Sequence, residues 1–201
     1  MSSETVFIVD DDADIRDSLR LLLEAAGHAA RSFASAEEFL AEEPAARGCL
    51  IADIRMPGLG GMELLEEIVR RQRDLPVILI TGHADIPLAV RAMRAGAVDF
   101  LEKPFSGTRL TESVRRALDL SRRKLTRQDE TRAARKLLTH LSSRERSVLE
   151  KLVQGQPNKS VAHELGISAR TVEIHRAHIM LKMDASSLAD LVRAVLTAQS
   201  A

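Results

Sequence analysis

The chain has 201 residues, is 45% apolar, and carries 29 basic and 29 acidic residues, so its formal net charge is zero. That composition is ordinary for a globular protein and gives room for two small domains. No apolar stretch approaches the roughly 20 residues that span a bilayer, and Met1-Ser2-Ser3-Glu4 lacks the basic-then-apolar pattern of a signal peptide, so a cytoplasmic protein with no membrane partner is expected.

In chain order, short apolar runs alternate with amphipathic stretches over the first 120 residues. The pattern predicts strands at Val6 to Val9, Ala29 to Phe33, Cys49 to Ala52, Val77 to Ile80 and Val98 to Leu101. Between and after them, helices are predicted at Ala13 to Ala26, Ala36 to Glu43, Gly61 to Gln72, Ile86 to Ala95 and Thr108 to Leu120, with turn chemistry at Gly27, Met56-Pro57-Gly58 and Gly96. This is the α/β pattern of a doubly wound, five-stranded parallel sheet. Cys49 is the only cysteine, so an intrachain disulfide and a multi-cysteine zinc site are excluded, and its place in an apolar run predicts a buried thiol.

From Leu118 to Leu138 the sequence is polar and rich in arginine, without glycine or proline, and reads as a helical extension or charged linker. A second, all-α unit follows, with helices predicted at Ser143 to Val153, Asn158 to Leu165, Ala169 to Met183 and Ser187 to Ala198. The neutral total hides an asymmetry. Residues 1 to 120 hold 14 basic against 21 acidic residues, and residues 121 to 201 hold 15 against 8, a balance of −7 followed by +7. Most of that positive excess lies in residues 121 to 138, so charge alone says little about nucleic acid.

Polar groups gather at the ends of the predicted strands: Asp10 and Asp11 after the first, Asp53 after the third, Thr81 after the fourth, and Lys103 close after the fifth. In an open parallel sheet these ends share one edge, which is where such sheets hold ligands. Hard oxygen donors there suit Mg²⁺, which is satisfied by one or two carboxylates, a carbonyl, a phosphate oxygen and waters. A carboxylate can also attack phosphorus to give an acyl phosphate. Asp53, on the central strand, is the candidate nucleophile. Asp10, Asp11 and Asp53 are candidate metal ligands, Lys103 would supply positive charge, and Thr81 a hydrogen bond to the phosphoryl group.

Val9-Asp10-Asp11-Asp12, Asp53 followed by Met56-Pro57-Gly58, Thr81-Gly82 and Lys103-Pro104-Phe105 together resemble the receiver domain of bacterial two-component response regulators, over residues 4 to 120. The stretches "TGHADIPLAVRAMRAGAVDFLEKPF" and "IADIRMPGLGGMELL" are most similar to the FixJ-type subgroup. The resemblance implies phosphorylation of Asp53 by a sensor histidine kinase and a metal site completed by the carbonyl of Arg55. It makes Phe100, three residues before Lys103, the switch aromatic, acting through ring burial because it has no hydroxyl. It further implies a monomer that pairs into a homodimer on phosphorylation, through the surface of the fourth helix and fifth strand, where Arg91, Arg94, Asp99 and Glu102 offer both signs of charge.

In the second unit, "NKSVAHELGISARTVEIHRA" from Asn158 to Ala177 reads as helix, turn at Gly166 and helix, with Ser168 placed to cap the second helix. At about 100° per residue, Val172, Ile179 and Met183 share a core face, while Glu173, Ile174 and Ala177 lie opposite, free to enter a major groove. His175, Arg176 and Lys182 flank the core face and can reach phosphates, as can Arg170, Thr171, His178 and, near a helix start, Lys159. With no Trp or Tyr, and all five Phe before residue 106, the unit lacks stacking platforms, so double-stranded DNA is the expected ligand. Residues 139 to 198 resemble the LuxR-type helix-turn-helix domain through Leu141-Ser142-Ser143-Arg144-Glu145, Asn158-Lys159, Thr171-Val172-Glu173 and Lys182-Met183.

The expectation is therefore a phosphorylation-switched transcription regulator, with residues 121 to 138 as a helical linker and RNA polymerase as a further candidate partner. It is expected to be no enzyme beyond self-catalysed, Mg²⁺-dependent phosphorylation and dephosphorylation. Two alternatives belong to other classes: a phosphorelay or signalling adaptor whose helical unit binds protein, and a Mg²⁺-dependent small-molecule phosphatase. Lys159, Arg170 and Arg176 speak against the first, and the lack of a substrate-pocket domain against the second.

Overall fold

The computed structural model describes residues 4–42, 47–83 and 85–200. The elements run β1 (Thr5–Val9), α1 (Ala13–Ala25), β2 (Ala29–Phe33), α2 (Ala36–Glu42), β3 (Gly48–Asp53), α3 (Gly61–Arg70), β4 (Val77–Thr81), α4 (Ile86–Ala95), β5 (Asp99–Glu102) and α5 (Gly107–Thr139). They continue as α6 (Ser143–Val153), α7 (Asn158–Leu165), α8 (Ala169–Lys182) and α9 (Leu188–Gln199). The predicted end of the second helix, Glu43, lies outside the described residues. The chain divides into two compact units, the first ending at Lys124 and the second starting at Leu125.

The first unit is a parallel sheet in the order β2-β1-β3-β4-β5, the doubly wound arrangement expected from the sequence. Side chains alternate between the two faces of a strand, and the core divides by that parity. Phe7, Val9, Leu50, Ala52, Val77 and Leu79 face one side with residues of α2, α3 and α4. Val6, Ile8, Cys49, Ile51, Ile78 and Ile80 face the other with residues of α1 and α5. Strands buried on both faces read as continuous apolar runs, and for this reason β3 and β4 are legible without any alternation. The Cys49 thiol belongs to this core, where burial pushes its pKa up to about 12.

The register sets the ends of the strands. Val9 pairs with Ala52 and Asp53 with Ile80, so the residues that follow β1, end β3 and end β4 emerge along one edge. Most boundaries fall within two residues of the sequence reading, and two of the differences bear on the packing. β5 runs one residue later than expected, because Val98 serves as the approach to the strand, its N–H donating to the Val77 carbonyl at 2.8 Å. The segment read as a helix followed by a linker is one 33-residue helix, α5. Its start packs on the sheet through Leu110, Val114, Ala117 and Leu118, and its last turns bury Ala134 and pack Leu137 and Leu138 against the second core.

That second core gathers Leu141, Val148, Leu149, Leu152, Val161, Val172, Ile179, Met183, Leu191 and Val195. Ser142 and Glu145 form a reciprocal capping box at the start of α6. Gly166 closes α7 in the left-handed conformation, and Ser168 caps α8 by accepting from the Thr171 N–H at 3.0 Å. Among the described residues no helix is long and apolar enough to cross a membrane.

Candidate phosphoacceptor site and nucleic-acid interface

Asp10 and Asp53 stand at the ends of adjacent strands and are 1% and 6% exposed. Lys103 Nζ lies between them, donating to Asp10 Oδ2 at 2.9 Å and to Asp53 Oδ1 at 2.6 Å. Their other oxygens are held by the main chain: Asp10 Oδ1 accepts from the Asp12 N–H at 3.0 Å, and Asp53 Oδ2 from the Arg55 N–H at 2.6 Å. Burial raises the Asp10 pKa above its ordinary value, with the nearby Asp53 charge adding to that, against the opposing pull of Lys103. For Lys103 burial works downward, but its hydrogen bonds to Asp53 and Asp10 outweigh it and the ammonium is held above its ordinary pKa.

The surrounding sequence fixes this geometry locally. Asp12 caps α1 by accepting from the N–H groups of Asp14 and Ile15, and Arg16 from the same helix donates to the Asp10 carbonyl at 2.6 Å. The start of α3 passes directly under Asp53. A Cβ at Gly61 would lie 2.3 Å from the Asp53 carbonyl oxygen, so no larger residue fits there without moving the backbone.

The structure does not gather every residue nominated from the sequence. The Asp11 side chain is exposed. Thr81 is fully buried, and its hydroxyl is engaged by the following loop, donating to the His83 carbonyl at 3.3 Å and accepting from the His83 N–H at 3.2 Å. Phe100 is half-buried against the core. Arg91, Arg94 and Glu102 are exposed. Asp99 is committed within the chain, accepting from Arg109 at 3.1 Å, from Ser113 Oγ at 2.5 Å and from Arg116.

As they stand, no three His, Cys, Asp or Glu side chains among the described residues converge in metal-ligand geometry. The donor set nevertheless suits Mg²⁺. Two buried carboxylates share one ammonium and leave a net negative charge on hard oxygens, and Mg²⁺ needs only one or two carboxylates because it retains waters. Asp10, Asp53, the exposed Asp11 and the Arg55 carbonyl are the residues that could hold it.

In the second unit the core face of α8 is as expected, with Val172, Ile179 and Met183 buried. Lys159, Arg170, Glu173, Ala177 and His178 are exposed, Ile174 is 49% exposed, and Thr171, His175 and Arg176 are half-buried. Lys182 is exposed but is turned onto Glu145, its Nζ donating to Oε2 at 2.7 Å. Glu145 went unnoticed as more than part of a motif. It is 4% exposed and joins the start of α6 to the last turn of α8, and the Lys182 hydrogen bond in particular holds its carboxyl down to about 2. Two apolar strips were also missed: Leu181 on the outer face of α8, and Ile86, Val90 and Met93 on α4, all exposed. Their helical spacing was visible, but an amphipathic pattern does not say which apolar face will find a partner.

Residues 6–115 match the family described as "Response regulator receiver domain", and residues 139–195 the family described as "Bacterial regulatory proteins, luxR family". The chain belongs to the response regulators. The "Transcriptional regulatory protein FixJ" of Azorhizobium caulinodans is 48% identical over 194 residues, covering 96% of this chain and 92% of that one. Among solved structures, the response regulator StyR superposes with a TM-score of 0.85 at 41% identity, covering 97% of this chain and 99% of that one. Full-length FixJ from B. japonicum does so with a TM-score of 0.60 at 43% identity, covering 98% of each. This response regulator therefore couples a receiver domain to a LuxR-type DNA-binding domain and regulates transcription.

Proposed function

We propose that this response regulator is switched by phosphorylation of Asp53. The observation that carries the reading is the hydrogen-bonded set Asp10, Lys103 and Asp53 at the carboxyl edge of the sheet. The donor would be a phosphohistidine of a sensor kinase. An Asp53 carboxylate oxygen attacks phosphorus, the P–O bond forms as the P–N bond breaks, and the imidazole leaves with that electron pair and takes a proton. Mg²⁺, when bound, neutralises charge on the transferring oxygens. Asp10, Asp11, Asp53 and the Arg55 carbonyl would hold it. Lys103 reaches the phosphoryl oxygens from its place beside Asp53, and Thr81 exchanges its His83 contacts for one of them.

That exchange moves the loop after β4. With Thr81 drawn toward Asp53, Phe100 gains room to turn inward, and the surface of α4 and β5 changes. The consequence is a homodimer. The exposed Ile86, Val90 and Met93, with Arg91, Arg94 and Glu102 nearby, supply an apolar contact with charges around it, while Asp99 acts through its bonds to α5. The receiver reading covers residues 4–120 and the DNA-binding reading residues 139–198, with the helix over 121–138 between them.

Double-stranded DNA is bound through α7 and α8. Glu173, Ile174 and Ala177 read base edges, with Lys159, Arg170, Thr171, His175, Arg176 and His178 on or near phosphates. Lys182 contributes less, because its charge is offset by Glu145. The test is to incubate the protein with Mg²⁺ and a small acyl-phosphate donor and to follow label incorporation, sedimentation and DNA binding together. Wild type should take one label at Asp53, dimerise and bind DNA more tightly, and Asp53→Asn should do none of these. Dimerisation of Asp53→Asn under the same conditions would refute the switch, and multiple turnovers of a generic phosphate ester would point to an enzyme.

A further inference from the structure

The loop that follows Asp53, residues 54–60, carries the Arg55 N–H that binds the Asp53 carboxylate and the Arg55 carbonyl expected to face the metal. It is pinned at three points. The Ile54 N–H donates to the Ile80 carbonyl at 2.9 Å, and the Gly61 N–H donates to the Ile54 carbonyl at 3.2 Å. The third pin is a side chain from another element: Glu37, in the first turn of α2, accepts from the Leu59 N–H through Oε1 at 2.8 Å.

Glu37 is built into its position. The start of α2 is fixed by the Glu38 N–H donating to Ser35 Oγ at 3.1 Å and the Ala34 N–H donating to Glu38 Oε2 at 2.6 Å. The loop backbone comes so close that a Cβ at Gly58, where φ is +74°, would lie 2.6 Å from Glu37 Oε1. The Leu59 N–H, more than any other group, draws the Glu37 carboxyl below its ordinary pKa, so the contact is made by the charged form.

We propose that Glu37 is a positioning residue for the Mg²⁺ and phosphoryl site: it clamps the loop after Asp53 and so sets the place of the Arg55 main chain. The inference rests on the reading of Asp53 and its neighbours given under Proposed function. Glu37 touches neither metal nor phosphoryl group. Its influence passes through Leu59 N–H and the four residues back to Arg55.

The test uses the full chain and three variants, Glu37→Ala, Glu37→Lys and Glu37→Gln. Glu37 is exposed, so the substitutions create no cavity and the fold is retained. Mg²⁺ affinity is read by titration calorimetry, exchange of the Leu59 amide by NMR, and the melting temperature in parallel. E37A and E37K should bind Mg²⁺ about threefold to tenfold more weakly and exchange the Leu59 amide faster, the effect of one lost charged hydrogen bond. E37Q keeps an acceptor oxygen and should stay within about twofold of wild type. Affinities for E37A and E37K within about twofold of wild type, or losses in affinity that merely track a fall in melting temperature, would overturn the proposal. If wild type itself binds no Mg²⁺ and takes no label at Asp53, the reading of the site fails and the clamp falls with it. A wild type that does both, beside unchanged variants, refutes the clamp alone.

Discussion

Lys103 is the single positive charge that the buried Asp10 and Asp53 share, and the energetics of the edge follow from that. Removing one partner of a buried charged set leaves the others unpaired, which costs more than the set contributes while whole. Lys103→Met should therefore destabilise the first unit by about 1–3 kcal/mol in denaturant melts at low Mg²⁺. Millimolar Mg²⁺ should restore part of that loss, because a divalent cation replaces the missing charge. No recovery would mean that the carboxylates do not take the ion. Glu145 gives a pH-dependent counterpart in the second unit. Its carboxyl is held down to about 2 from an ordinary 4.5, with the Lys182 hydrogen bond the largest cause. A depressed acid stabilises the fold above its unfolded pKa, so this contribution should be present above about pH 4.5 and fade as pH falls toward 2. Glu145→Gln should lower stability at neutral pH and flatten its acid dependence. An unchanged acid profile would show that Glu145 does not govern it.

At the level of elements, α5 makes the sharpest statement. The distal turns of α5 bury Ala134 and pack Leu137 and Leu138 on the second core, and Arg135 donates to the Ala198 carbonyl of α9 at 2.8 Å. Leu138→Ala should then destabilise the second unit by about 1–2 kcal/mol, whereas a solvated linker would show no change in its melting. The sequence left open whether this stretch was helix or charged linker, because arginine-rich composition describes the exposed sides and three core-facing positions in its last turns are too few to set a period. Strand and helix order were legible for the opposite reason: the runs around Leu50 and Ile78 are buried on both faces and could not be mistaken for surface. The acidic cluster was legible because strand ends converge in any parallel sheet. The bonds of Asp99 within the chain went unforeseen, since its partners Arg109, Ser113 and Arg116 lie on a helix whose packing no local pattern specifies. Glu37 was invisible, because a contact across 22 residues depends on the path of a loop.

For the whole molecule, the opposite charge balances of the two halves bear on the response to salt. Binding that rests on phosphate neutralisation weakens as salt rises, with a slope in proportion to the phosphates contacted. Lys159→Ala and Arg170→Ala should each lower that slope by about one in a log–log plot while leaving the preferred sequence unchanged. Ile174→Ser should do the reverse, relaxing the base preference with little effect on salt dependence. Substitutions that all acted alike would argue against a groove-reading role for α8.

All six residues of β3 are buried, and the strand is hydrogen-bonded on both sides, to β1 and β4. Two places over, β5 has one buried residue, and α4 beside it has Ala92 alone. Burial thus falls from the centre of the sheet, where Asp53 stands, toward the β5 edge. Amide exchange should report it, with β3 opening only on global unfolding and β5 and α4 opening far more readily. If exchange follows burial in this way, a bond made to the Asp53 carboxylate would be shielded from the motions of the protein that holds it.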